Sequence, residues 1–218
     1  MRNVITWALA VGVAVAVTAT ASAQQRQGRG GMFGRGGMSA AMLLANEGVQ
    51  KELKLTDEQK EKAREFAQAQ GEKMREAFQN AQGDPEKMQE ARKAMTEAGD
   101  KFVKETLKSE QQKRLKQIQY QADVLQTLSA NEEVQKTLKL TDEQKEKLKT
   151  LADDLNKDRR ELFQGGPGPE MMQKMQALTK DYTTKAQAVL TDAQKKEWKE
   201  LTGEPFEVRF QRRGGGGQ

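Results

Sequence analysis

Neither histidine nor cysteine occurs in this chain of 218 residues, so any chemistry must come from carboxylates, hydroxyls, amines, amides and thioethers. Losing both types removes the commonest general base, the thiolate nucleophile and the soft ligands of a zinc site. Carboxylates are plentiful, but they alternate with lysine, as in Glu58 to Lys62 and Glu143 to Lys147. That is the i,i+4 pattern of a solvated helix face rather than an acid/base pair. No P-loop, dinucleotide fingerprint or G-x-S-x-G is present, and the glycine-rich stretches do not follow strand-like runs. Met171, Met172 and Met175, with Met32, Met38 and Met42, are thioethers that suit Cu(I), yet methionine is first of all an adaptable packing residue. The chain is therefore expected to be no enzyme and to hold no metal or cofactor.

The residues with the most regular spacing carry a different chemistry, that of the helix start. Leu-Thr-Asp-Glu-Gln-Lys begins at Leu55 and again at Leu140, Leu-Thr-Asp-Ala-Gln-Lys begins at Leu190, and an eroded relative, LKSEQQK, begins at Leu107. Thr56, Thr141 and Thr191 are N-caps whose hydroxyls accept backbone N–H groups, and Gln59, Gln144 and Gln194 three residues on reach back, which makes a capping box. Each cap is worth on the order of 1 kcal/mol. Asp57, Asp142 and Asp192 lie in the first turn, where the helix dipole favours negative charge. In the eroded relative Lys108 stands in place of threonine, so Ser109 is expected to cap with Gln112 as its partner, one residue later.

These motifs belong to a larger duplication. ANEGVQKELKLTDEQKEK, Ala45 to Lys62, returns as ANEEVQKTLKLTDEQKEK, Ala130 to Lys147, so that Thr141 follows Thr56 by 85 residues. Self-similarity at a fixed period governs the architecture. Apolar or small residues after Thr56 fall at 63, 66, 67, 70, 74, 77, 78 and 81, with Gln70 the polar exception, and the second copy repeats the stripe with Arg159 at the Met74 position. Spacings of three and four predict one buried face on a helix. Gly83-Asp84-Pro85 and the run Gly165 to Pro169 stop these helices and start the next. Each copy thus reads as a helical hairpin bracketed by two helix-start motifs, and no strand pattern appears. The fold class is all-α: two tandem hairpin repeats, over 39–122 and 123–206, in a thin bundle or cradle.

The flanking sequence bears on location. Met1 to Ala23 has one basic residue, an uncharged Val/Ala-rich run and Ala21-Ser22-Ala23 before Gln24, the layout of a secretory signal peptide. Export to the periplasm or beyond is expected, with no stable membrane insertion after cleavage. Leu, Ile, Val and Phe make up about 16% of the chain after Ala23, a range in which disorder competes with folding. Shallow helical packing without a deep pocket follows. The formal charge of +5 resides at the ends, with Arg26, Arg29 and Arg35 in a Gly-rich leader over 24–38 and Arg209, Arg212 and Arg213 in a tail over 207–218. Both ends are expected to be disordered and solvated, and no nucleic-acid partner is inferred.

With its export signal and recurring motif, LKLTDEQKEKAREF from Leu53 and AVLTDAQKKEWKEL from Ala188, the chain resembles the Spy/CpxP group of periplasmic LTxxQ proteins. The resemblance implies a small helical protein that dimerises into a thin curved cradle and works as an ATP-independent chaperone or a sensor of envelope stress. Metal sites in that group lean on histidine or cysteine, which this chain lacks. Its partners would be unfolded or partner proteins. Four motif positions instead of two suggest that one chain supplies both halves of the cradle, although a homodimer is the family's own arrangement. The thin second stripe, Met88, Met95 and Phe102 with Met172, Met175 and Tyr182, is the candidate client-binding face, since flexible methionine-rich surfaces suit promiscuous recognition. Its competing reading is the hairpin core. The competing function is a non-catalytic helical adaptor of the envelope that holds one specific partner.

Overall fold

The computed structural model describes residues 38–164 and 170–209, and these are all-helical with no strand among them. The signal-like segment, nearly all of the leader, the Gly165 to Pro169 run and residues 210–218 lie outside the described residues. Ten helices follow one another: α1 (Ala40–Leu44), α2 (Glu47–Glu52), α3 (Asp57–Ala81), α4 (Pro85–Thr106), α5 (Ser109–Ala122), α6 (Val124–Ala130), α7 (Glu132–Thr137), α8 (Asp142–Gln164), α9 (Met171–Ala188) and α10 (Asp192–Thr202). None of them is long and apolar enough to cross a membrane.

Helix α3 packs on α4 and α8 on α9, and the turn of the first pair is written in its residues. Gln82 takes the left-handed conformation after α3, Gly83 follows at φ 91°, and Asp84 caps α4 by accepting from Glu86 N–H at 2.9 Å, with Pro85 in the first turn. Proline there gives up a donor that has no helical partner.

Sequence reasoning passed over the short helices ahead of each long pair. Asn46 caps α2 by accepting from Val49 N–H, and Asn131 caps α7 by accepting from Val134 N–H, both at 3.1 Å. Both helices end alike: Lys54 (φ 49°) and Lys139 (φ 51°) turn left-handed, and the N–H groups of Leu55 and Leu140 donate back to the carbonyls of Gln50 and Gln135 at 3.0 Å. This is the 6→1 bond of a Schellman closure, made with lysine where glycine is usual. The closure drops Leu55 and Leu140 into the core just before the next capping box.

Two apolar clusters hold the helices together. The first gathers Leu43 and Leu44 of α1, Val49 of α2, Ala63 of α3 and Leu115 and Ile118 of α5, with Phe102, Phe206 and Val208 at its edge. The second gathers Leu125 and Leu128 of α6, Val134 of α7, Leu148 and Leu155 of α8, Tyr182 and Ala186 of α9 and Trp198 of α10, and it takes in Tyr120 from α5. Helix α5 also packs on α10, which joins the two copies through their trailing helices. The ordered chain continues past the boundary placed at Phe206: Val208 is half-buried and Arg209 O accepts from Asn46 Nδ2 at 2.9 Å, so the solvated tail does not begin at residue 207.

Candidate functional site

The motif glutamines do more than close their own caps. Gln59 Oε1 accepts from Thr56 N–H at 3.0 Å, and Thr56 Oγ1 accepts from Gln59 N–H at 3.2 Å, which completes the capping box of α3. The same Gln59 amide then crosses to the eroded motif 52 residues later. Its Nε2 donates to Gln111 Oε1 at 2.9 Å and to Thr106 O at 2.8 Å, while Gln111 Nε2 donates to Gln59 Oε1 at 3.1 Å and to Leu53 O at 3.1 Å. Each amide spends two acceptor sites and two donors, its full capacity. Both side chains belong to buried residues, where an unpaired amide costs about 1–3 kcal/mol.

The second copy builds the same clasp. Gln144 Nε2 donates to Gln194 Oε1 at 2.7 Å and to Val189 O at 2.9 Å, and Gln194 Nε2 returns to Gln144 Oε1 at 3.0 Å and to Leu138 O at 3.1 Å. Thr141 and Thr191 each accept from their glutamine's N–H at 3.3 Å. In each copy the pair ties the start of the outgoing long helix to the start of the trailing helix. The motif's glutamine amides therefore serve to fix the architecture.

The eroded motif keeps the register of the other three, which corrects the expectation for Ser109 and Gln112. Lys108 holds the N-cap conformation (φ −69°, ψ 156°), and Gln111, not Gln112, accepts from its N–H at 2.9 Å. An ammonium has no lone pair, so only the returning half of the box is made. Ser109 lies in the first turn, and Gln112 Nε2 donates instead to Leu107 O at 2.7 Å, beyond the end of α4. Leu107 is buried at 5% exposure, and a one-residue shift would lift it from the core and part Gln111 from Gln59.

The six side chains expected to form a client-binding face differ widely in exposure. Tyr182 is buried in the second cluster, and its hydroxyl donates to Asp158 Oδ2 at 2.8 Å. Burial first, and that carboxylate second, push the phenol up to about 12. Phe102 stacks on Phe66 with ring centroids 4.2 Å apart. Met88, Met95 and Met175 are half-buried, and only Met172 is well exposed, at 55%. Of the six, Tyr182 and Phe102 join the apolar clusters, where α9 packs on both α8 and α6 and α4 on both α3 and α1.

Large apolar side chains do reach solvent elsewhere: Met42, and Phe78 with its 85-residue counterpart Phe163 near the far ends of α3 and α8. They are scattered among charges. Ion pairs such as Lys60–Asp57 at 2.8 Å and Lys145–Asp142 at 3.0 Å line the same helices, and the Lys60 contact holds the Asp57 carboxyl below its usual range. An open cleft of about 610 Å³ is lined by Lys51, Lys60, Arg64, Glu47 and neutral neighbours. Among the described residues no group of three carboxylates is placed to hold a metal ion. No family model, curated protein or solved structure matches this chain.

Proposed function

We propose that the chain is an exported, Spy/CpxP-like binder of unfolded or partner proteins that works without ATP, as a chaperone or envelope-stress binder. The observation that carries this reading is the recurrence of the LTxxQ helix start, three times intact and once eroded, behind a signal-like leader. The clasp accounts for what that recurrence does to the backbone. The surface supports the same reading: the apolar side chains Met42, Phe78, Phe163 and Met172 reach solvent at separate places, and Phe78 and Phe163 stand on the densely charged helices α3 and α8. Scattered apolar contacts of this kind hold a partner weakly and without a fixed sequence, and the surrounding charge keeps the complex soluble. The chain from Gln24 onward, mixed at low molar excess with an unrelated chemically denatured protein and no nucleotide, is expected to lower the light scattering of the diluted substrate. No effect on several unrelated substrates would rule the chaperone reading out.

A further inference from the structure

After α10 the chain runs back across the first copy as an extended strap. Gly203, at φ 66°, lets it turn there in a left-handed conformation that other residues rarely adopt. From there the side chains alternate: Phe206 and Val208 point toward the first cluster, while Glu207 and Arg209 face water. The strap is gripped mainly by its backbone. Gln121 accepts from Phe206 N–H at 2.6 Å and donates to Thr202 O at 2.7 Å and Glu204 O at 2.9 Å. Arg114 Nη1 donates to Glu204 O at 3.0 Å, and Asn46 Nδ2 donates to Arg209 O at 2.9 Å.

The duplication shows that this seat is specialised. Within the eighteen-residue block the two copies differ at two positions only, Gly48 against Glu133 and Glu52 against Thr137. Both lie at the strap. A Cβ on Gly48 would come 3.1 Å from Asn46 Oδ1 and 3.9 Å from the Phe206 ring, so a side chain there would stand against both the cap and the ring. Glu52 accepts from Arg114 Nε at 2.8 Å and aims the guanidinium that holds Glu204 O. In the second copy Glu133 instead takes the ammonium of Lys116 at 2.7 Å in an exposed ion pair.

We propose that the seat formed by α2 and α5 of the first copy is a binding site for an extended segment of unfolded polypeptide with apolar residues at alternate positions, and that Phe206–Val208 plugs it in the resting chain. Backbone hydrogen bonds give such a site affinity without sequence demand, and its alternate apolar contacts select extended hydrophobic segments. The proposal rests on the chaperone reading, supplying it with a specific site and an internal competitor.

The test uses the full chain and a fluorescent peptide with the sequence of Gly203 to Arg209, followed by anisotropy. The double variant Phe206→Ser, Val208→Ser should bind it roughly tenfold or more tightly than the parent, about what 1.4 kcal/mol of lost competition gives. Adding Gly48→Glu should abolish the gain, because the second copy carries glutamate beside the same asparagine cap. Equal binding by parent and double variant, or no binding by a double variant of unchanged helix content, would overturn the proposal. So would a concentration-dependent dimer of the parent joined by exchanged straps, since the seat would then take a second copy. If the double variant unfolds, amide exchange at Phe206 in the parent decides: faster exchange under excess peptide supports displacement, and unchanged exchange refutes it. Peptide binding without suppression of aggregation would leave the seat standing and remove the chaperone reading, whereas suppression without peptide binding would do the reverse.

Discussion

The two copies keep the same backbone chemistry and fill it differently. Helices α2 and α7 share both ends at the 85-residue spacing, both close through a left-handed lysine, and both copies join their motifs through paired glutamines. The cores differ. The first copy has the small Ala63 beside a Phe66–Phe102 stack and borrows Phe206 and Val208 from the chain end; the second has Leu148 at the Ala63 position and borrows Tyr120 from α5. Caps and clasps use groups fixed on the backbone path, so one substitution leaves a buried donor or acceptor unpaired. Apolar packing tolerates exchange as long as volume is conserved. Duplication followed by drift thus preserves the first set and varies the second.

Substitutions in matched pairs sharpen this comparison. The largest effect is expected from Leu148→Ala, which empties a fully buried site and should cost about 2–5 kcal/mol in urea unfolding. Ala63→Leu, the reciprocal change, should cost about 1–3 kcal/mol by overpacking beside the aromatic stack, and a neutral result would mean that the two cores are interchangeable. Next come the clasps. Gln59→Ala strands Thr106 O and the Gln111 amide in the interior and should cost about 2–3 kcal/mol, whereas Gln144→Ala, at a half-buried position, should cost about 1 kcal/mol. Equal losses would erase the difference in burial as its cause.

Smaller effects run in the stabilising direction. Lys108→Thr restores the hydroxyl that the other three motifs have and should raise stability by about 0.5–1 kcal/mol, seen as a higher melting temperature. Asp123 caps α6 by accepting from Gln126 N–H at 3.2 Å, but burial raises its carboxyl above the ordinary 3.8, against the pull of that bond and of Arg159. A raised folded value means that its contribution is fully present below pH 3.8 and is lost as pH rises through the folded value. Asp123→Asn keeps the cap acceptor and should stabilise the protein at pH 7 by up to about 1 kcal/mol, with the advantage shrinking on acidification. An advantage that grew toward low pH would reverse the sign of the effect.

The helix starts were legible because a capping box is a rule spanning four residues, satisfied by Thr56 and Gln59 whatever lies around them. The pairing of Gln59 with Gln111 was not, since it links residues 52 apart through a tertiary arrangement that no local spacing encodes. Ser109 and Gln112 misled because serine is the better cap by propensity, while burial of Leu107 sets the register. The available signal was alignment of that leucine with Leu55, Leu140 and Leu190. The strap had a signal as well, the alternation Phe206, Val208, Phe210, but it runs into the Arg- and Gly-rich end whose composition reads as solvated. The methionine stripes were correctly placed on helices; their burial depended on which helix faced them.

The glutamine clasp is what the two copies share most closely, and a double-mutant cycle on Gln59→Ala and Gln111→Ala tests it most directly. Two amides joined by reciprocal hydrogen bonds at 2.9 and 3.1 Å should show a coupling of roughly 1–3 kcal/mol, the second substitution costing much less once the first is made. Losses that add to within about 0.5 kcal/mol would contradict the clasp and leave each glutamine as a separate helix cap.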